Sequence, residues 1–317
     1  MKNRKRNDIG GIWRTLAVLA VVAVFALPAA PLPASGAAQR QFDSPEHAVD
    51  ALIAAVRSGR TADLLAIFGP RGKSLVESGD AVADKNGRAR FVASYDEGHS
   101  LTTPSDGKIT LVLGKDHWPF PIPLVKAGKV WHFDTAAGAE EILNRRIGRN
   151  ELSAIEVCRA YVDAQREYSS KDRNNDGFRE YAQHFASHPN QHDGLYWPTK
   201  SGEEPSPMGA LVARARDEGY ESAGTRTKRE PYHGYYYRIL KRQGSHALGG
   251  AHDYIADDHM IGGFALVAFP AQYGASGVMT FIVNQDGVVY QKNLGPDTER
   301  IAREMKAYDP DPSWKAN

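Results

Sequence analysis

Cysteine is nearly absent from this sequence, since Cys158 is the only one among 317 residues. One cysteine cannot form an intramolecular disulfide, and zinc sites built from several cysteines are excluded as well. The fold must therefore be held by core packing. Cys158 lies between Ile155 and Tyr161 on an apolar stripe at helical spacing, so we interpret it as a buried thiol. A nucleophilic cysteine would need a neighbouring base, and no histidine stands close to it in this stretch.

An excess of charge of one sign is also missing, because 39 basic and 38 acidic residues give a formal net charge of +1. A dedicated nucleic-acid-binding protein would show a basic face, so that class is excluded. The sequence has no Walker loop, no dinucleotide fingerprint and no H-E-x-x-H motif. An enzyme is still possible, because acid and base groups can come from distant parts of a chain. The apolar content of 42% is typical of a soluble globular protein.

The first 38 residues have the pattern of a signal peptide. A basic N-terminal region precedes an apolar run over residues 16–27, Pro28 breaks that run, and small residues at 35–38 supply a cleavage site. The run is too short for a bilayer, which needs about 20 apolar residues. We predict cleavage after Ala38 and export to the periplasm or the medium. The alternative is an uncleaved segment, which would be the only membrane contact.

The first part of the mature chain, residues 39–135, is predicted to be a small α+β domain. Ser44 and Pro45 predict a helix start, and Gly59 predicts its end. Alternating apolar and polar residues predict antiparallel strands over 108–113, 120–125 and 129–133. Helices followed by such a meander resemble the plan of nuclear-transport-factor-like folds, which host binding proteins, enzymes and scaffolds alike.

The second part, residues 136–317, begins with the longest helical pattern in the chain, here called the spine helix. Its apolar face includes Ile155, Cys158 and Val162. Gly148 and Asn150 interrupt the pattern, so it is either one helix or two helices with a bend, the second of them capped by Asn150. A shorter helix is predicted over 205–219 with Ser206 as its cap, and strands over 232–242, 264–269, 278–284 and 288–292. The predicted fold class is α+β, with a C-terminal antiparallel sheet packed on the spine helix.

The middle of the spine helix resembles the helix of pilins and pseudopilins. Asn150-Glu151, Ala154-Ile155, Arg159, Ala164-Gln165 and Tyr168 follow their pattern NE..AI...R....AQ..Y. In those proteins a four-stranded antiparallel sheet packs on the helix. No long hydrophobic half precedes Asn150, so the resemblance implies a soluble relative of that packing unit and not a filament subunit.

Longer motifs resemble a bacterial family catalogued as domain of unknown function 2950. They are WHFD at 131–134, EILNRRIGRNE at 141–151, HDGLYWP at 192–198, EPYHGYYYRIL at 230–240 and SGVMTFIVNQDGVVYQKNLG at 276–295. The resemblance covers essentially the whole mature chain. It implies an exported bacterial protein, and it assigns no catalytic residue.

A calcium site is predicted where the spine helix ends. The run Asp172 to Gly177 has the form D-x-N-x-D-G, the first half of a calcium-binding loop. Position twelve is Gln183, where a bidentate glutamate is expected, so the strongest ligand is missing. The alternative is a capping loop of ordinary Asx turns. The candidate calcium ligands are Asp172, Asn174, Asp176, Phe178 (through its carbonyl) and Glu180.

Two further groups of metal-ligand residues follow. His184, His188 and His192 recur in an irregular segment without the helical spacing that orients two imidazoles, so we interpret them as surface histidines. The stretch from Gly249 to Gly263 carries two histidines and three aspartates, which are either metal ligands or residues of a solvated loop.

Two classes of function are consistent with these features. The first is a non-enzymatic exported protein that binds or helps to assemble something at the envelope, with another envelope protein or a small ligand as its partner. The second is a metal-dependent extracytoplasmic enzyme such as a hydrolase.

Overall fold

The structure, a computed structural model, describes residues 38–103, 107–173, 175–221 and 230–317. The predicted signal peptide therefore lies outside the described residues, apart from Ala38 at its end. The described chain is tied down from Gln39 onward. The Gln39 side-chain amide donates to the carbonyls of Ile67 at 2.9 Å and Phe133 at 2.7 Å.

Four α-helices open the fold. Their bounds are α1 Pro45–Ser58, α2 Thr61–Phe68, α3 Lys73–Val76, preceded by a 3-10 turn at Pro70–Gly72, and α4 Ala81–Glu97. The predicted start of α1 is confirmed, because Ser44 Oγ accepts the N–H of His47 at 3.1 Å. Helix α4 was not predicted from the sequence, because its apolar residues do not repeat at helical spacing along its length and none of its residues is buried.

Short antiparallel strands complete this half. They are β1 His99–Thr102, β2 Thr110–Leu113, β3 Trp118–Pro119, β4 Leu124–Ala127 and β5 Val130–Phe133. The order β1-β2-β3 forms one small sheet, and β4 pairs with β5. Phe68, Phe120 and Phe133 meet edge to face or tilted in the core below them.

The spine helix, α5, runs without interruption over Thr135–Tyr168, so the alternative of two helices with a bend is wrong. Asn150 does not cap a second helix, because its side-chain amide instead donates to the Ser276 carbonyl at 2.8 Å. One turn of α5 lies so close to the preceding loop that a Cβ at Gly138 would stand 2.1 Å from the Pro121 carbonyl oxygen. Glycine is the residue that fits there.

The rest of the chain builds one five-stranded antiparallel sheet and several small pairs. The elements are β6 His184–Ala186, β7 Gly194–Tyr196, α6 Gly209–Asp217, β8 Tyr235–Leu240, β9 Arg242–Gln243, β10 His252–Asp253, β11 Ile255–Ala256, β12 His259–Met260, β13 Ala265–Pro270, β14 Met279–Asn284, β15 Tyr290–Asn293, α7 Thr298–Glu304 and β16 Lys315–Ala316. The large sheet has the order β16-β15-β14-β13-β8. Helix α6 begins at Gly209 with no side-chain cap, so the predicted cap at Ser206 is wrong.

Helix α5 covers one face of the large sheet. Ile155, Cys158 and Val162 are buried against it, and the Tyr161 hydroxyl donates to the Ala265 carbonyl at 3.3 Å. Helix α7 covers the other face, where Arg238 of β8 donates to the Ala302 carbonyl at 2.7 Å. This arrangement confirms the α+β class with a sheet packed on the spine helix. The pilin-like resemblance stays a prediction.

The described residues belong to one compact unit with two hydrophobic clusters. One cluster lies in the N-terminal helices and strands, and the other lies between α5 and the large sheet. The two-domain division predicted from the sequence stays a prediction. No helix in the described part of the chain has the length and apolar character needed to cross a bilayer.

Candidate functional site

The loop that follows α5 is organised by Asp172. Its Oδ1 accepts the backbone N–H of Asn175 at 2.7 Å, and its Oδ2 accepts that of Gly177 at 2.9 Å. Asp176 repeats the pattern with the N–H of Phe178 at 2.8 Å. These are the Asx-type turns expected of a capping loop. Asn174, the second predicted calcium ligand, lies outside the described residues.

The Glu180 carboxylate contacts the β11–β12 hairpin. Its Oε2 lies 3.2 Å from His259 Nδ1 and accepts the backbone N–H of Met260 at 3.3 Å. Asp176 Oδ2 lies 3.6 Å from the same His259 nitrogen. The ring of Phe178 stacks on the His259 ring with 4.1 Å between centroids. The structure therefore brings Asp176 and Glu180 next to His259, a histidine of the predicted Gly249–Gly263 stretch.

The turn between β11 and β12, formed by Asp257 and Asp258, determines the position of His259. Asp257 and Asp258 have φ values of 48° and 67°, so both central residues are left-handed, as a type I′ turn requires. Asp tolerates that conformation better than most residues. In β11 and β12 Ala256 pairs with His259 and Ile255 with Met260. The two aspartates that looked like ligands in the sequence therefore form the turn.

The remaining ligand-type residues of that stretch are engaged elsewhere. His252 lies 3.2 Å from the Gly250 carbonyl and 3.1 Å from the Gly262 carbonyl through its two ring nitrogens. Asp253 forms an ion pair with Arg242 at 3.1 Å. Of the five ligand-type residues between Gly249 and Gly263, only His259 lies beside Asp176 and Glu180.

Asp176, Glu180 and His259 each offer a ligand atom, and these atoms all lie within 4.8 Å of one another. The side chains are 30%, 12% and 21% exposed, so the cluster is sheltered but open to an ion from solvent. Two carboxylates and one imidazole form a donor set suited to zinc, manganese or iron. We call these three residues the carboxylate–histidine cluster.

A small polar cavity of about 90 Å³ lies elsewhere, between α5, α6 and the segment before β8. His233 Nε2 pairs there with Glu218 Oε2 at 2.8 Å. The cavity lining also includes Ser153, Glu156, Arg214 and Tyr232. A second cavity lies on the N-terminal half beside Phe120 and Glu141. Neither cavity is lined by the carboxylate–histidine cluster.

The thiol of the single cysteine, Cys158, is unreactive. Cys158 is completely buried, and burial raises the pKa of its thiol to about 12. Only the thiolate is a nucleophile, so a thiol with this pKa is unreactive at neutral pH. The prediction of a buried thiol is confirmed.

A family model described as "Protein of unknown function (DUF2950)" matches residues 39–316. No curated protein and no solved structure matches the chain. The family match begins at the residue that follows the predicted cleavage site.

Proposed function

The chain belongs to the DUF2950 family, and from that premise we propose that it is an exported, non-enzymatic envelope protein that binds a divalent metal ion through Asp176, Glu180 and His259. What supports export is the pattern of residues 1–38, a basic start followed by a short apolar run and small residues. The partner would be another envelope protein or a small ligand.

The observation that carries the metal proposal is the convergence of two segments far apart in the sequence. Glu180 and His259 are separated by 79 residues, yet their ligand atoms lie 3.2 Å apart. Glu180 belongs to the segment after α5, and His259 belongs to a hairpin that precedes strand β13, an interior strand of the large sheet. An ion held between them would fasten the end of the spine helix to the sheet, a structural role.

The donor set favours a transition metal over calcium. Calcium takes six to eight oxygen ligands, whereas an imidazole nitrogen suits zinc, manganese or iron. Calcium bound through Asp172, Asn174, Asp176, Phe178 and Glu180 is a second candidate, supported by the D-x-N-x-D-G spacing. Both Asp172 carboxylate oxygens already accept backbone N–H groups of the loop, which leaves less capacity for calcium.

The alternative function is a metal-dependent extracytoplasmic hydrolase at the same cluster. What favours it is the ligand count, because three protein ligands leave coordination positions open for water, as in catalytic zinc sites. A hydrolase would lose turnover on general ester or phosphoester substrates when the metal is removed. A structural ion would change stability alone.

The test is a metal titration of chelator-stripped protein by calorimetry, with Mn²⁺, Zn²⁺ and Ca²⁺ used separately. We expect Mn²⁺ or Zn²⁺ to bind and to raise the melting temperature. At a free ion concentration of 100 times its Kd, the free energy of unfolding should rise by about 2.7 kcal/mol. His259→Ala should remove one equivalent of bound ion, the one held at the carboxylate–histidine cluster. His252→Ala is the matched control, because His252 lies on the same stretch but contacts backbone carbonyls.

Three outcomes would contradict the proposal. The first is transition-metal binding that His259→Ala leaves unchanged. The second is Ca²⁺ binding that Asp172→Ala abolishes and His259→Ala does not, which would establish the calcium loop instead. The third is the absence of any heat with all three ions. The melting temperature of metal-free His259→Ala shows whether the variant is folded.

A further inference from the structure

In the segment that carries His184, His188 and His192, two strands of the chain approach each other closely. Strands β6 and β7 pair in parallel, with His184 opposite Gly194. A Cβ at Gly194 would lie 2.7 Å from the backbone of Ala186 and Ser187, so the pairing needs glycine. Ser187 Oγ accepts the Gly194 N–H at 3.0 Å. The glycine of the HDGLYWP motif thus fixes the loop between the two strands.

Asp193, the residue before that glycine, holds His188 at two points. Its Oδ1 accepts the backbone N–H of His188 at 2.9 Å, and its Oδ2 pairs with the ring Nδ1 of the same residue. Partial burial raises the pKa of the Asp193 carboxyl, but the hydrogen bonds from His188 outweigh this and leave its pKa lowered. The carboxylate therefore stays ionised at neutral pH.

The ring of His184 stands against that of His188, with centroids 5.2 Å apart and an interplanar angle of 79°. One ligand atom from each of His184, His188 and Asp193 lies within 4.8 Å of the others. His192 is not part of this group, because its ring stacks on Trp197 at 4.4 Å.

We infer that His184, His188 and Asp193 form a second divalent-metal site, separate from the carboxylate–histidine cluster and richer in nitrogen. Two imidazoles and one carboxylate suit Zn²⁺, Cu²⁺ or Ni²⁺. With Zn–N bonds of about 2.0–2.1 Å, two ligands of one ion lie at most about 4.2 Å apart. In a tetrahedral zinc site two ligand atoms stand about 3.4 Å apart, so side-chain movements of no more than about 1.5 Å would close the site.

The position of the group fits a site loaded directly from solvent. The His188 side chain is 60% exposed and that of Asp193 is 25% exposed. The backbone hydrogen bond and the parallel strand pair hold both residues before any ion arrives. The inference does not depend on the proposed function, since the two groups share no residue.

The test counts bound zinc. The full chain is stripped with chelator, loaded with Zn²⁺ alone, passed through a desalting column and measured by native mass spectrometry and metal analysis. We expect two equivalents in the natural protein and one in His188→Ala. His192→Ala is the matched control from the same segment and should keep two. His184→Ala should also hold one, which keeps the test valid should His188→Ala fail to fold.

The outcomes separate this site from the first one. Loss of one equivalent in His188→Ala and of the other in His259→Ala supports both. A single equivalent that only His259→Ala removes overturns the second site and leaves the proposed function standing. Two equivalents in His188→Ala and His184→Ala overturn the inference as well. One equivalent that both His188→Ala and His184→Ala remove and His259→Ala retains supports the second site and overturns the first.

Discussion

At the residue scale, one buried carboxylate links the two parts of the chain. Asp80 caps α4 by accepting the N–H of Ala83 at 2.9 Å, and it is 1% exposed. Its other oxygen accepts the Tyr220 hydroxyl at 3.0 Å and the Gly234 N–H at 2.8 Å, both from the C-terminal half. Burial and the nearby Asp80 carboxylate raise the pKa of Tyr220, so its hydroxyl stays protonated and donates.

We predict that Asp80→Ala destabilises the protein by about 3 kcal/mol or more, because three donors, two of them in buried hydrogen bonds, lose their acceptor. Tyr220→Phe removes one of these bonds and should cost about 1 to 2 kcal/mol. Urea unfolding of both variants measures the difference. An Asp80→Ala variant within about 0.5 kcal/mol of the natural protein, the range of ordinary surface substitutions, would contradict this role.

Single residues were predictable from the sequence where their chemistry is local. Ser44 as a cap and Cys158 as a core residue depend on neighbours within one turn of helix, so spacing is enough. The D-x-N-x-D-G spacing likewise drew attention to Asp176 and Glu180. Their contact with His259 could not be predicted, because it depends on how the sheet brings two distant segments together.

At the scale of elements, the apolar stripe of the spine helix is not buried along its whole length. Ile155 is 6% exposed and packs in the core against the large sheet, whereas Leu152, three residues earlier, is 65% exposed. We predict that Ile155→Asp costs about 4 kcal/mol, because it buries a carboxylate without a partner.

Leu152→Asp is the matched control and should change stability by less than about 0.5 kcal/mol, as exposed substitutions do. Thermal and urea unfolding of the two variants give the comparison. Equal melting temperatures for Ile155→Asp and the natural protein would show that this face is not packed on the sheet.

Elements with clear periodicity were predictable, and those without it were not. Each strand of the large sheet except β16 overlaps a stretch of alternating or apolar residues, so those strands were expected. Helix α4 has no apolar stripe along its whole length, although Phe91, Val92 and Tyr95 pack against the core near its C-terminal end, so that criterion could not find it. The two-residue strand β16 is defined only by its partner β15, which no local pattern reveals.

At the scale of the whole molecule, the predicted export signal defines where the mature chain begins. The described fold is anchored by Gln39, whose side chain donates to two carbonyls, and the family match also begins at residue 39. We predict that the exported protein starts at Gln39. N-terminal sequencing or intact mass of material from the periplasm or medium measures this, and a Met1 or Lys2 terminus on membrane-bound protein would contradict it.

The packing of α5 on the large sheet also affects folding during synthesis, because the helix is made before the sheet that covers it. Glu151 of α5 accepts the backbone N–H of Val278, 127 residues further along the chain. At synthesis rates of about 5–20 residues per second, roughly 6 to 25 s pass between the appearance of the two partners. During that interval the apolar face of the helix has been made but its sheet has not. This face is the part of the nascent chain that a holding chaperone would need to cover.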